Sequence, residues 1–483
     1  MVFVGRGKEL QKLEQLYSKE DSMTCAIYGR RRVGKTTLIQ EFCKGKNSLF
    51  LTSTATSEKV LLYNYAQAFS IHHGKDIVLD DFLDLFTKLT EYLNGTDDPV
   101  IVIDEFPFLI KVFPDALSLL QRFIDHDMKA KRSMLILSGS SMSSMVRSLN
   151  DGESPLFQRF VVQMRIDPLS YPEACLLHPD YSEEDRMRAY AIAGGIPLYH
   201  IIMDGRGLER SIEDSFLSRS NYLGGEIEHV FSLELKPWDT YDRVLTALSN
   251  GDADIDTVSK DSGLSVASCR SMLSDLEELG AVAYELPYGK KRYGHFRIVD
   301  GFMGFYYSVI KRMEGTLANL DYRYESIRVQ AETFYGHRFE EICKQYVVQN
   351  NDCRWIGRWW GTIPIRDGDR ILKGPDGKVE TEEADIDVVA VTRVGQSEAL
   401  ILGECKFTRR KVDIPVLETL VRRAGSIGGL DRNRRYVLFS RSGFTYELKE
   451  EVDERWEGRV ELVDIDTISE WVRKSNDEEE QAQ

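Results

Sequence analysis

Apolar and polar positions divide the chain into stretches of different rhythm. Up to about residue 165, short apolar runs alternate with segments whose apolar residues recur at helical spacing. The runs are Thr24–Tyr28, Ser48–Leu51, Val100–Ile103 and Met134–Leu137; the helical segments include Thr37–Cys43 and Asp80–Leu93, with Asp80 and Asp81 at its start. Continuous apolar runs separated by helices predict a parallel sheet covered on both faces. From 166 to 235 the spacing is helical throughout, broken by the turn Gly194-Gly195-Ile196-Pro197.

The rhythm changes again at about residue 236. Tyr241–Ser249 is helical, and Ile255–Lys260, the turn Gly263-Leu264-Ser265 and Ser268–Leu279 read as helix, turn, helix, with Gly280 as C-cap. Ala281–Leu286, Pro287-Tyr288-Gly289 and Tyr293–Val299 then read as strand, turn, strand. This order predicts a winged helix-turn-helix over 236–312. Over 330–473 a helix at Phe334–Val348 precedes strands near Asp385–Val391 and Leu400–Cys405, a helix at Val416–Ala424 and a strand at Tyr436–Phe439. The expectation is an α/β chain: a parallel-sheet core (1–165), a helical lid (166–235), the winged helix, a C-terminal α/β domain (330–473) and a disordered acidic tail (474–483).

Gly29-Arg30-Arg31-Arg32-Val33-Gly34-Lys35-Thr36 fits GxxxxGK[ST] between a strand and a helix, with Thr37 next in the helix. Loop N–H groups and the helix N-terminus at that position cradle phosphate. Lys35 reaches the outer phosphates and the Thr36 hydroxyl holds Mg²⁺. Val100-Ile101-Val102-Ile103-Asp104-Glu105 supplies the second half of an ATP site: Asp104 for Mg²⁺, Glu105 as general base toward water. Ser138 and Ser140, after Met134–Leu137, are equal candidates for sensing the γ-phosphate. The core is therefore read as a P-loop NTPase that hydrolyses ATP.

Phe3-Val4-Gly5-Arg6 with Glu9-Leu10, the GRRRVGKTTL loop, IVIDEF, LILSGSS, SPLFQR and GGIPLYH occur in that order. Together they resemble the archaeal-type AAA+-related ATPases, a group close to the STAND NTPases, many of which continue into a winged helix and a PD-(D/E)XK-like domain. The resemblance implies that Val4–Arg6 lines the nucleotide-base pocket and that GGIP marks the lid. It makes Arg159 an arginine finger or inter-subunit sensor in a homo-oligomer, although a surface ion pair explains Arg159 equally well. No arginine occurs within Gly194–Tyr199, where many AAA+ proteins place a second sensor, and this points to a slow, switch-like ATPase.

Asp385-Ile386-Asp387 on one strand and Gly403-Glu404-Cys405-Lys406 on the next bring Asp387 and Glu404 together, with Lys406 on the same face as Glu404. Two carboxylates can hold Mg²⁺ or Mn²⁺ and activate water, and the lysine can stabilise developing charge. The constellation resembles the PD-(D/E)XK nucleases. That resemblance implies a restriction-endonuclease-like fold with Asp387, Glu404 and Lys406 as the core motif and Glu340 as the first-helix glutamate, Asp385 and Glu341 being near neighbours.

The formal net charge of −16 excludes a chain coated in cations, yet basic clusters occur. They are Lys290-Lys291-Arg292 with His295 and Arg297, Arg409-Arg410-Lys411, Arg422-Arg423, and Arg432, Arg434 and Arg435. Arg358-Trp359-Trp360 sets a cation beside aromatic rings. As a group they predict DNA contact, whereas Asp275, Glu277 and Glu278 on the second helix of the helix-turn-helix would repel a major groove. Seven scattered cysteines without zinc spacing, no apolar stretch long enough for a bilayer and no basic-then-apolar opening lead to the expectation of a cytoplasmic protein without a membrane partner. The expected function is an ATP-dependent switch for a DNA-cleaving C-terminal domain. The alternative is a regulatory switch whose C-terminal domain binds without cutting.

Overall fold

The computed structural model describes residues 3–54, 57–203, 207–217, 235–313, 323–367, 370–395, 397–428 and 433–481. They form two compact units. The first runs to Leu169 and includes Gly195–Leu198 and the stretch from Asp477; the second comprises Ser170–Gly194 and Tyr199–Asn476.

The first unit is built on five strands: β1 (Met23–Tyr28), β2 (Ser48–Thr52), β3 (Val100–Asp104), β4 (Met134–Gly139) and β5 (Val162–Arg165). Their order is β2-β3-β4-β1-β5 and every pairing is parallel. Every residue of β3 and β4 is buried, which is why both read as unbroken apolar runs. The chain leaves β1 for the far edge, returns through β3 and β4, and crosses to β5. The C-terminal end of β1 thus lies at the switch point where such sheets open a ligand crevice. Register brings Tyr28 beside Gly139 and Thr52 beside Asp104, so the chemically active residues share one edge. Helix Phe82–Gly95 starts at Asp81, whose carboxylate accepts the Asp84 N–H at 2.8 Å.

In the second unit, helices Trp238–Leu248, Ile255–Ser262 and Val266–Glu278 precede the antiparallel pair β6 (Val282–Glu285) and β7 (His295–Ile298). Gly263, in the left-handed region at φ 66°, ends the second of these helices, and Ser265 caps the third through Ser268 N. The following strands are β8 (Cys353–Pro364), the short pair β9 (Arg366–Asp367) and β10 (Arg370–Ile371), β11 (Thr381–Val394), β12 (Ser397–Lys406), β13 (Arg434–Ser440) and β14 (Val460–Asp464). Five of them form a mixed sheet, β14-β13-β12-β11-β8, antiparallel across β8, β11 and β12 and parallel beyond. Ile386, Val389, Leu400, Leu402 and Leu438 pack with Leu417 and Leu420 of helix Ile414–Ala424.

Two expectations change. Residues 166–235, 236–312 and 330–473, read as separate segments, fall where described almost wholly within one unit, and Gly195–Leu198 belongs to the other. The acidic tail is not irregular: helix Ile465–Gln481 carries it to the last described residue.

Candidate functional site

The loop from Gly29 to Thr36 connects β1 to helix Lys35–Cys43. A Cβ at Gly29 would lie 2.2 Å from the Ile166 carbonyl oxygen, so only glycine fits there. Gly34 takes φ 94° as the helix N-cap, a left-handed conformation that glycine adopts without strain. The Lys35 ammonium is buried and donates to the Gly29 and Arg30 carbonyls, both at 2.9 Å. Arg30, Arg31 and Arg32 are half-buried, as is Thr37 in the first turn of the helix. Arg6 is also buried, and its guanidinium donates to Val33 O (3.0 Å) and Asp167 O (2.6 Å). It therefore ties the loop to the segment after β5.

Asp104 is the hub. Its Oδ2 accepts the Thr36 hydroxyl at 2.9 Å, and its Oδ1 accepts the Glu105 N–H at 3.1 Å and the Ser138 hydroxyl. Glu105 sits at φ 52°, a conformation that a non-glycine residue adopts at a cost. Its Oε2 accepts the Ser140 hydroxyl at 2.8 Å and the Ser140 N–H at 3.2 Å. The two serines, equivalent on sequence, therefore have different work. Ser138 is fully buried and holds Asp104; Ser140 is half-buried and holds Glu105. A Cβ on Gly139, between them, would lie 2.7 Å from Pro107 Cδ.

Arg159 is engaged within its own unit. Nε and Nη2 donate to the Asp125 carboxylate, the shortest contact being 2.9 Å, and this partner holds Asp125 below the usual carboxylate range. The Gly195–Leu198 segment lies against the loop: Pro197 Cγ would be 4.0 Å from a Cβ on Gly34. Gly195 is forced, since a Cβ there would meet the Leu169 oxygen at 2.0 Å.

In the second unit, the β11–β12 register ends with Val388 opposite Gly403, and Asp387 and Glu404 are the next residues along the two strands. Cys405 N donates to Asp387 Oδ2 at 2.8 Å. Burial, then Glu340 and Glu404, push Asp387 up to about 8. Glu404, also buried, accepts Lys406 Nζ at 2.6 Å, and Arg423 approaches its other oxygen at 3.4 Å. Burial also raises Glu340 against the pull of Arg358 and Lys344, and the Arg358 Nε lies 3.5 Å from its Oε2. Glu341 turns elsewhere, to Arg297 and Lys344, and these with Arg338 overcome its burial and hold it well below the usual range. The Asp385 side chain is half exposed beside Arg423. Of the two neighbouring pairs, Asp387 is thus the member that feels both Glu340 and Glu404. Among the described residues no group of three His, Cys, Asp or Glu side chains is gathered for a metal, so a cation here would rest on Asp387, Glu404 and water.

The basic clusters separate on inspection. Arg434 and Arg435 bond internally, to Ala424 O and Ile427 O and to Asn351 Oδ1. Arg422 pairs with Glu382, Arg297 is buried, and Arg432 lies outside the described residues. Lys290, Lys291, Arg292, Arg409, Arg410 and Lys411 are exposed. Trp359 is buried and Trp360 stacks on His295 at 5.0 Å, so the exposed ring of β8 is Trp355, which was not among the expected residues. Asp275 accepts the Tyr241 hydroxyl at 2.6 Å.

A glycine-bounded loop at a switch point, with a threonine hydroxyl against a strand-end aspartate, defines a P-loop ATPase domain. Residues 3–202 match a family model described as an ATPase domain predominantly from Archaea, so the chain carries an archaeal-type ATPase domain. Residues 305–415 match a model for archaeal and bacterial proteins of unknown function. An uncharacterized protein of Methanocaldococcus jannaschii, MJECL04, is 26% identical over 371 residues, spanning 74% of this chain and 82% of that protein. An uncharacterized ATP-binding protein of the same organism, MJ0423, is 44% identical over 46 residues, 10% of this chain and 78% of that one. Among solved structures, the Walker-type ATPase PABY2304 of Pyrococcus abyssi aligns with TM-score 0.48 and 16% identity, over 62% of this chain and 95% of that one. ORC2 of Aeropyrum pernix, solved with ADPNP and ADP, aligns with TM-score 0.46 and 14% identity, over 65% and 94%. Among the described residues no helix is long and apolar enough to cross a membrane.

Proposed function

We propose that the ATPase domain is a Mg²⁺-dependent switch for a PD-(D/E)XK-like nuclease domain that, with a winged helix, binds and cleaves DNA. The observation that carries the nuclease half is Lys406 bonded to Glu404, with Asp387 accepting the N–H of Cys405 between them. Burial, then Glu340 and Glu404, raise Asp387, and a cation bound there would relieve the carboxylate repulsion.

At the ATP site the loop amides and Lys35 hold the phosphates, exchanging the Gly29 and Arg30 carbonyls for phosphate oxygens. Thr36 and Asp104 would hold Mg²⁺, their 2.9 Å hydrogen bond placing both oxygens on one side of the crevice. When bound, the ion neutralises charge developing on the phosphate oxygens. Glu105 orients the attacking water and takes its proton, with Ser140 holding the carboxylate. In the second unit, Asp387 and Glu404 would hold Mg²⁺ or Mn²⁺, Lys406 would stabilise charge on the scissile phosphate, and Glu340 would assist from the helix. Arg159 would act on a neighbouring copy's nucleotide after exchanging Asp125 for phosphate.

Binding without cutting is favoured by one observation: Arg423 and Lys406 already neutralise Glu404. Incubation with DNA and Mg²⁺ or Mn²⁺, with and without ATP, separates the two readings. Cleavage by wild type but not by Glu404→Ala or Lys406→Ala is expected, and identical behaviour of all three leaves only the binding function. Lys35→Ala is expected to lose nucleotide binding. Glu105→Gln is expected to bind ATP and turn it over at least about 100-fold more slowly, and normal turnover would remove Glu105 as the base.

A further inference from the structure

The turn between β6 and β7 is clipped to the edge strand of the mixed sheet, Tyr288 N donating to Arg358 O at 2.9 Å. Between turn and strand lies a cavity of about 490 Å³ lined by Glu285, Tyr288, Lys290, Trp355, Gly357 and Arg358, among others. Its size is that of small-molecule sites, enough for a base and its sugar. The Trp355 ring lies over Gly357, where a Cβ would meet it at 2.7 Å, and stands 5.2 Å from the Tyr288 ring. Trp355 remains 38% exposed, and Tyr293 at the other end of the turn is 80% exposed.

Charge decides the occupant. Lys290, Lys291 and Arg292 are exposed, and none has a carboxylate partner among the described residues. The carboxylate of the lining, Glu285, is matched by Arg297 at 3.5 Å. In a chain of net charge −16, three consecutive unmatched cations beside an open indole form a local polyanion site. An unstacked base needs an aromatic face, whereas a duplex offers only phosphates and groove edges. Arg358, in the lining, pairs with Asp252 at 2.6 Å, and its Nε lies 3.5 Å from Glu340.

We propose that this cavity is a single-strand clamp: it takes one unstacked base of a polynucleotide onto Trp355 while Lys290, Lys291 and Arg292 hold the flanking phosphates. The clamp rests on the nucleic-acid reading of this unit but not on its nuclease activity.

The test is binding of fluorescein-labelled oligo(dT), oligo(rU) and a duplex of equal length to the full chain in EDTA, so that cleavage plays no part. Tighter binding of the single strands than of the duplex is expected, and the DNA and RNA arms decide which backbone is preferred. Trp355→Ala should weaken single-strand binding about 5- to 150-fold, and Trp355→Phe should restore most of it. The triple substitution Lys290→Ala, Lys291→Ala, Arg292→Ala should lower the slope of log affinity against log salt by about 2. Duplex binding equal to or tighter than single-strand binding, indifference to Trp355, or no polynucleotide binding, as for an acidic protein partner, would overturn the clamp. Trp355-dependent binding without Glu404-dependent cleavage removes the nuclease and leaves the clamp; the reverse removes only the clamp.

Discussion

Replacing Ser138 by alanine removes one hydroxyl from a site with no exposure and nearly unchanged volume. The lost bond goes to a buried carboxylate, and hydrogen bonds to charged groups contribute about 1.5–3 kcal/mol. Asp104 Oδ1 retains the Glu105 N–H at 3.1 Å and Oδ2 retains the Thr36 hydroxyl at 2.9 Å, which places the expected cost near the lower end, about 1.5 kcal/mol. The assay can isolate the unit concerned. All six tryptophans lie between Trp238 and Trp471, within the second unit, and the first has none. Urea unfolding followed by far-UV circular dichroism reports both units, while tryptophan fluorescence reports only the second. Ser138→Ala should lower the dichroism midpoint and leave the fluorescence midpoint in place. Because Ser138 supports a carboxylate expected to hold Mg²⁺, its loss should raise the Mg²⁺ requirement of the ATPase about 10-fold. Unchanged stability together with an unchanged Mg²⁺ requirement would refute the role given to Ser138. Ser140→Ala is the contrasting case: Glu105 keeps a backbone bond, so turnover should fall while the Mg²⁺ requirement stays.

Three further perturbations follow from the geometry. Gly29→Ala sets a methyl 2.2 Å from the Ile166 oxygen; it should cost about 1–3 kcal/mol in the first unit and abolish nucleotide binding, checked by dichroism and by titration with a fluorescent ATP analogue. Glu332→Ala strips a shared partner from Arg441 (2.9 Å) and Arg188 (2.6 Å), both largely buried. Glu184 continues to serve both arginines, so the loss should be about 3 kcal/mol, read by the fluorescence midpoint. His200 is buried and neutral, its Nε2–H donating to Gly194 O at 2.6 Å while Nδ1 accepts from His178 at 2.9 Å. Burial, then His178, push it down to about 3. Between that value and about 6.5 the unfolded chain holds a proton that the folded chain lacks. Its stabilisation is complete above about pH 6.5 and declines by about 1.4 kcal/mol per unit as pH falls. His200→Asn should flatten that slope in pH-dependent urea midpoints of the second unit.

The elements legible in the sequence are those in which one force dominates. β3 and β4 are buried on every residue, so Val100–Ile103 and Met134–Leu137 could be little else. The loop at Gly29 was legible because backbone geometry places it whatever surrounds it. β8 was not. One face of it runs Trp355, Gly357, Trp359, Gly361, and both rings fold back over the glycines, at 2.7 and 3.2 Å from the built Cβ positions. Where glycine serves as the seat of a ring, counting apolar alternation misses a strand. The Asp125–Arg159 pair, the split between Ser138 and Ser140 and the turning away of Glu341 are tertiary choices among adjacent equivalent residues, on which local spacing is silent. The acidic tail misled for a related reason. Its composition suits disorder, yet Trp471 stacks on Tyr171 at 6.1 Å and Ser475 bonds Gln349 at 2.9 Å, so packing of the preceding turns carries the helix onward.

The two carboxylate sites differ in how their charges are met. At the ATP site Asp104 and Glu105 receive neutral hydroxyl and amide donors, from Thr36, Ser138 and Ser140. Such donors leave the negative charge in place, so a magnesium–phosphate group arriving at Lys35 would meet undiminished attraction. At the second site Glu404 is met by two full positive charges, Lys406 and Arg423, and Asp387 is pushed toward its protonated form by burial and its acidic neighbours. A divalent cation there competes with resident cations and with a proton. The first site is therefore built to fill readily. If the second site holds a cation as proposed, Arg423 would have to release Glu404, and Arg423 also holds Asp385 O at 3.0 Å on β11. On the proposed nuclease reading, a phosphate backbone would be the ligand with the charge to draw Arg423 away, acting together with the ATP-dependent switch.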